Sequence, residues 1–242
     1  ASVIRHRRVL DMREGAVSRD TVFEDADGRR TRVETVRFAS SAAQHLCCLR
    51  ARITPENHTA PVIVRSGIDG TGYNLDRRPI YAEPPPDDPQ MKWHKWARSR
   101  HLDEVAREHL PDGIYLETRT IDTGITIGYA ALTRVSPAAA SGVEQRYKYV
   151  EQVAHAQVAA GDTLTVDKLV AVYTSRDVAE ASVRPACLDE LRRHTATGFD
   201  GCRDRNRTAW QAKWADSDVT IDGDPDTTRA VRFNIYQLLI AA

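Results

Sequence analysis

VSRDTVFEDADGRRTRVETVRFAS, residues 17–40, decides the fold class of this chain. The runs VSRDTVF and TRVETVRFAS flank EDADGR, and the Asp27-Gly28 step inside it signals a hairpin, because glycine tolerates the positive φ that such a turn requires. Two antiparallel strands are expected there. Working outward, HLCCLRARI (45–53) alternates Cys47, Leu49, Ala51 and Ile53 against Arg50 and Arg52, the period of a half-buried strand. PVIVRSGIDG (61–70) is shorter and more apolar and closes on a glycine turn. ITIGYAALTRV (125–135) carries Ile125, Ile127, Tyr129 and Ala131 in step, with Gly128 marking a bulge or a close neighbour. RYKYVEQVAHAQV (146–158) fits either period; strand is the preferred reading, with AAGDT as the turn into the β-branched run TLTVDKLVAVYTS. The texture is thus mostly β from Val17 to about Val178.

One stretch interrupts it. YAEPPPDDPQ holds four prolines in residues 81–90 and reads as an extended surface loop. MKWHKWARSRHLDEVAREHL (91–110) then reads as a helix stopped by Pro111-Asp112-Gly113. After Arg184 the texture turns helical. Pro185 can open ACLDELRRHTA, and Trp210 and Trp214 lie four apart on one face of the next helix. Asp226 is the expected N-cap of a closing helix whose last twelve residues, VRFNIYQLLIAA (231–242), form an apolar stripe without terminating Gly, Asn or basic residues. That stripe asks for a partner surface, and the expectation is that the chain is a piece of a larger protein.

Composition excludes several functions. Of 242 residues, 34 are Lys or Arg and 34 are Asp or Glu, so the net charge is zero and no global field favours nucleic acid or an anionic membrane. No apolar run reaches the roughly 18 residues of a membrane span, and no signal sequence opens the chain. Cys47, Cys48, Cys187 and Cys202 fit neither a disulfide framework nor a zinc pattern; free thiols in a reducing, cytoplasmic compartment are expected, with Cys47 and Cys48 on opposite faces of their strand.

Searches for chemistry return nothing specific. GIDGTG (67–72) lacks the spacing of a nucleotide loop and reads as a turn. DGDPD (222–226) has calcium-loop spacing but Thr227 and Phe233 where that loop needs Gly and Glu, so a helix-opening turn explains it better. His45, His94, His101 and His155 show no ligand spacing, and no serine or cysteine sits in a nucleophile motif. No catalytic residue, metal ligand or cofactor is assigned. Trp93 and Trp96, beside His94 and Lys95, either contact a saccharide by stacking or pin the inserted helix to the sandwich or to a partner chain. The sequons at Asn57 and Asn206 are taken as chance.

LDMREG (10–15), HLCCLRARITPENHTAPVIVRSGIDG (45–70), DKLVAVYTSRD (167–177) and WADSDVTIDGDPDTTRAVRFNIYQLL (214–239) together resemble glycoside hydrolase family 65. That family comprises the maltose, trehalose and kojibiose phosphorylases and related α-glucoside hydrolases. The resemblance implies a mainly β, antiparallel supersandwich of the galactose mutarotase-like kind, followed by a helical linker. Residues 1–182 would be a partial N-terminal sandwich with a loop-helix insertion near 81–111, 183–225 the linker, and 226–242 the first helix of a missing (α/α)6-barrel. The family's general-acid glutamate and phosphate-binding loop belong to that barrel, and no position here matches them.

The implied function is a non-catalytic scaffold of a parent enzyme that cleaves α-glucosidic disaccharides with inversion, using inorganic phosphate or water. Its partners would be the barrel, the disaccharide through the parent enzyme, and a second subunit in a homodimer. The alternative is an independent carbohydrate-binding or protein-interaction module.

Overall fold

The computed structural model describes residues 1–71, 101–137 and 139–241. Eleven strands are formed among them: β1 (Ser2–Asp11), β2 (Ala16–Glu24), β3 (Arg30–Ala39), β4 (Leu46–Pro55), β5 (Ala60–Asp69), β6 (Leu102–Leu110), β7 (Gly113–Thr120), β8 (Thr126–Ser136), β9 (Ala140–Arg146), β10 (Tyr149–Val158) and β11 (Leu164–Thr174). Three helices follow: α1 (Val183–Thr195), α2 (Gly198–Ser217) and α3 (Pro225–Ala241). The strands make an eight-stranded sheet in the order β1-β2-β3-β4-β11-β8-β7-β6 and a three-stranded sheet, β5-β10-β9. Every pairing is antiparallel. This is the mainly β sandwich followed by helices that the resemblance implied.

The hairpin at residues 17–40 forms, with Gly28 at φ 73° and Glu24 opposite Arg30. Asn57 fastens its turn, accepting from the Arg30 amide and donating to the Gly28 carbonyl. Strand alternation then sorts the core into two layers. Ile114, Leu116 and Ala131 face the small sheet and meet Ile68 and Val150. Their neighbours Tyr115, Ala130 and Leu132 face the opposite way and join Phe38, Leu46, Cys48 and Leu169 under α1 and α2, which contribute Cys187, Leu191, Phe199 and Cys202. Cys47 and Cys48 lie on opposite faces as the period required, but the buried one is Cys48, on the side of Arg50, because α2 covers that face; Cys47, grouped in the sequence with Leu49 and Ala51, is exposed. Gly128 proves to be a close approach: a Cβ there would lie 2.7 Å from Val183 Cγ1, so α1 rests on bare backbone.

Three expectations need correction. The helix expected over 91–110 is absent from its described second half, because Leu102–Leu110 is β6, paired with β7 around a tight Pro111-Asp112 turn that places Leu110 opposite Gly113. A register shift between Glu104 and Ala106 breaks the alternation that would have exposed the strand in the sequence. β1, β7 and β9 were not anticipated; β1 is exposed along nearly its whole length and charged on both faces, so it carries no apolar period. The cap of α3 is Asp224 rather than Asp226: Asp224 Oδ1 accepts from the Thr227 amide at 2.9 Å, and Pro225 takes the first helical position, where its missing N–H costs nothing. The GIDGTG turn is likewise local, with Asp69 accepting from the Thr71 amide at 2.8 Å.

Candidate functional site at the strand-helix junction

Two clefts lie where the β1-β2 turn meets α2 and α3. One, of about 500 Å³, is lined by Asp11, Arg13, Glu14, Arg207, Gln211, Trp214 and Asp218 among others. A second, of about 480 Å³, shares Asp11, Arg13, Trp214 and Asp218 and extends to Arg229 and Arg232.

The turn reaches the helix by specific bonds. Asp11 Oδ1 accepts from the amides of Arg13 at 2.9 Å and Glu14 at 3.2 Å, closing the turn, and Gly15 supplies the φ of 59° needed to leave it. Glu14 then spans two arginines of α2, with Oε2 2.8 Å from Arg203 Nη2 and Oε1 2.8 Å from Arg207 Nε. Asn206, between them on the same helix, donates to the Glu14 carbonyl at 2.6 Å and accepts from the Ser41 amide at 2.8 Å, so one amide ties two separate turns to α2. Nearer the sheet centre, Arg50 joins Asp167 of β11 to Asp200 of α2, both at 2.6 Å, with its guanidinium 4.3 Å above the Phe199 ring.

Trp210 and Trp214 do share one face, as their spacing required. The Trp210 ring stacks on Tyr236 of α3 at 5.1 Å, and Trp214 Nε1 donates to the Met12 carbonyl at 2.7 Å. Ile235 and Leu239 complete this cluster, Lys213 Nζ donates to the Leu239 carbonyl at 3.2 Å, and Arg232 grips Asp218 at 2.6 Å. The β1-β2 turn, α2 and α3 therefore form one bolted unit.

Its electrostatics are wrong for acid catalysis. Burial pushes the Glu14 carboxyl up, but the hydrogen bonds and charges of Arg203 and Arg207 outweigh it and hold the group below its ordinary value. Asp218 is also lowered, first by its bond to Arg232. A general acid working near neutrality needs the opposite shift, so neither carboxylate can serve as one. Among the described residues no group of three or more His, Cys, Asp or Glu side chains is placed to hold a metal ion.

Of the histidines singled out in the sequence, His45 stacks on Tyr173 at 3.8 Å and donates to the Val172 carbonyl, while His155 is exposed on β10. Trp93, Trp96 and His94 lie outside the described residues. Asn206 was noticed only as a sequon; being fully buried with its amide nitrogen engaged, it is a clamp and not a glycan acceptor. Nothing in the residue pattern could have signalled that role, because its partners are backbone groups 165 and 192 positions away. No described helix is long and apolar enough to cross a membrane.

The described residues thus form a β-sandwich with its helices fastened to it at the β1-β2 turn. Residues 1–213 match the family described as "Glycosyl hydrolase family 65, N-terminal domain", and the chain belongs to that family. It is 30% identical over 247 residues to a kojibiose phosphorylase of Caldanaerobacter subterraneus subsp. tengcongensis, covering 98% of this chain and 30% of that protein. An α,α-trehalose phosphorylase of Thermoanaerobacter brockii is 24% identical over 241 residues, covering 98% of this chain and 30% of that one. A maltose phosphorylase of Bacillus subtilis is 24% identical over 230 residues, with 95% and 28% covered. The chain thus spans about 30% of the length of these relatives. Among solved structures, one described as "Putative kojibiose phosphorylase from human microbiome" superposes with a TM-score of 0.83 over 98% of this chain and 28% of that one; at 14% identity this speaks to the fold alone. The family match ends within α2, so α3 lies beyond it.

Proposed function

We propose that this N-terminal domain is the non-catalytic scaffold of a larger family 65 enzyme acting on an α-glucosidic disaccharide, and that α3 is the element by which it engages the rest of that enzyme. The observation that carries this reading is the two-sided character of α3. One side is held by Trp210, Trp214 and Met12 through Tyr236, Ile235 and Leu239. The other presents Phe233, Leu238 and Ile240, which are 44%, 72% and 52% exposed. Three large apolar side chains on one short, firmly anchored helix are the mark of a surface made to be covered.

On this reading residues 1–182 are the sandwich, 183–225 the linker and 226–242 the first helix of an (α/α)6-barrel that carries the acid and the disaccharide site. The kojibiose, trehalose and maltose phosphorylases among the relatives support inorganic phosphate as co-substrate of the parent enzyme. A homodimer and a cytoplasmic location are part of the same proposal.

The test uses the chain as it stands. It should release no glucose 1-phosphate or glucose from kojibiose, trehalose or maltose, and it should bind an exposed-apolar-surface dye. Replacing Phe233, Leu238 and Ile240 with serine should abolish the dye signal without lowering Tm. Turnover by the unaltered chain, or dye binding untouched by the triple substitution, would refute the reading. Calorimetric saccharide affinity lost in Trp93→Ala or Trp96→Ala would instead favour a binding module.

A further inference from the structure

Helices cover one face of the eight-stranded sheet. On that side Val36 and Phe38 of β3 and Cys48 of β4 lie under α1 and α2. Their neighbours along the strands, Arg37, Leu49 and Ala51, therefore point to the opposite face. Register carries that second face across to the edge of the sheet. Arg37 stands opposite Leu49 of β4 and Val17 of β2, and Arg19 of β2 stands opposite Thr35 of β3 and Arg8 of β1. Arg8, Arg19 and Arg37 are all exposed, whereas Leu49 and Ala51 are half-buried.

The two faces of β1 to β4 differ in charge. Every carboxylate of these strands, Asp11, Asp20, Glu24 and Glu34, projects on the helix-bearing side. There Arg5, Arg30, Arg32 and Arg50 each hold a carboxylate within 3.3 Å. The other side of the same strands carries no Asp or Glu. Arg8, Arg19 and Arg37 make no ion pair among the described residues, and Arg8 stands directly opposite Arg19, where like charges repel. A chain of zero net charge thus leaves three guanidinium groups without counter-ions on one sheet face.

The small sheet stops short of this face. Ser66 of β5 shares a hydrogen bond of 2.7 Å with Thr133 of β8, and Lys168 of β11 donates to the Gly67 carbonyl of β5 at 2.7 Å, so β5 lies over β8 and β11. On one side of β5, β10 lies over β7, where Val150 meets Ile114 and Leu116. The other edge of β5 takes no strand among the described residues, and it faces the space above β4 and β3. Such an edge presents unpaired amides and carbonyls to an incoming strand. At ~4.8 Å per strand, a first added strand would lie above β4 and a second above β3, with inward side chains over Arg37.

We propose, resting on the scaffold reading above, that the open edge of β5 takes an extended segment of the parent enzyme from outside residues 1–242. That segment continues the small sheet over β4, β3 and β2 and sets carboxylates against Arg37, Arg19 and Arg8. The chain spans about 30% of the length of its relatives, so a parent of that size has ample sequence to supply it. The guanidinium fork receives a carboxylate through two parallel bonds, which fixes the register of the incoming strand. Half-buried Val17, Val33, Leu49, Ala51 and Ile53 lie among the arginines and give a polypeptide an apolar floor that a phosphate polyanion would not use. A second copy laid face to face on this surface would set arginine against arginine.

The test compares the 242-residue chain with the parent enzyme encoded by its full reading frame. In the chain alone, phenylglyoxal should modify Arg8, Arg19 and Arg37, with rates referred to added N-acetylarginine. In the parent, modification of all three and hydrogen exchange of the β5 amides should each be at least about 10-fold slower. Arg37→Lys in the parent, treated with a water-soluble carbodiimide, should yield a peptide joining position 37 to an Asp or Glu from outside residues 1–242. The proposal is overturned if the arginines react equally in chain and parent, if β5 exchanges equally in both, or if position 37 forms no link or one to residues 1–242 of its own or a second copy. A reading frame with nothing outside these residues overturns it together with the scaffold reading. That reading is otherwise decided by the dye test at α3, which none of these measurements touches, so the two can fail separately.

Discussion

Replacing Asn206 with alanine is the sharpest test of how the helices are fastened to the sandwich. The side chain is fully buried and serves two backbone groups, the Glu14 carbonyl and the Ser41 amide. Alanine leaves both without a partner. Each orphaned buried group costs ~1–3 kcal/mol, so the pair should cost about 3 kcal/mol in total. For a chain of this size Tm falls roughly 2–4 °C per kcal/mol, which predicts a drop of roughly 6–12 °C. Thermal and urea unfolding followed by circular dichroism would measure both, and the m-value should stay constant if the transition remains cooperative. Arg207→Ala is the internal control: it removes one partly exposed arm of the Glu14 bridge, and such pairs are worth only ~0–1 kcal/mol. A loss below ~0.5 kcal/mol for Asn206→Ala, the scale of an ordinary surface change, would refute the clamp.

Three further outcomes follow from the same junction. Gly15→Ala should destabilise by at least about 2 kcal/mol, because a Cβ would sit 2.0 Å from Trp210 Nε1 at a φ of 59°; a red-shifted Trp emission should accompany the loss. Asp224→Ala should cost about 1 kcal/mol by uncapping α3, while Asp226→Ala should cost less, since Asp226 does not cap; equal effects in unfolding experiments would contradict the assignment. Glu14 is lowered in the folded chain from its ordinary 4.5, so its contribution is fully present above pH 4.5 and fades as pH falls through the folded value. Glu14→Gln should therefore flatten the acid limb of the stability profile and leave its shape above pH 5 unaltered; an unchanged acid limb would exclude Glu14 as a contributor.

Most of the β framework was legible because its signals are local. The Asp27-Gly28 turn, the strand at 45–53, the crowding at Gly128 and the Trp210-Trp214 spacing each depend on a few neighbouring residues, and each reappears in the structure, although helix packing buries Cys48 rather than Cys47. Reading failed where an element's identity was set by its neighbour. β6 contains a bulge and is a strand only because β7 lies beside it, and β1 has no apolar period because it pairs on one edge and buries almost nothing.

By itself the sequence determined the fold class, the switch from strands to helices after Arg184, the absence of a recognisable catalytic motif and the resemblance to family 65. Only the tertiary structure decided which residues hold the two parts together. Glu14 with Arg203 and Arg207, Asn206 with two turns, and Arg50 with Asp167 and Asp200 are far apart along the chain in every case. Periodicity reports which face of an element is buried, and it carries no information about what that face will meet.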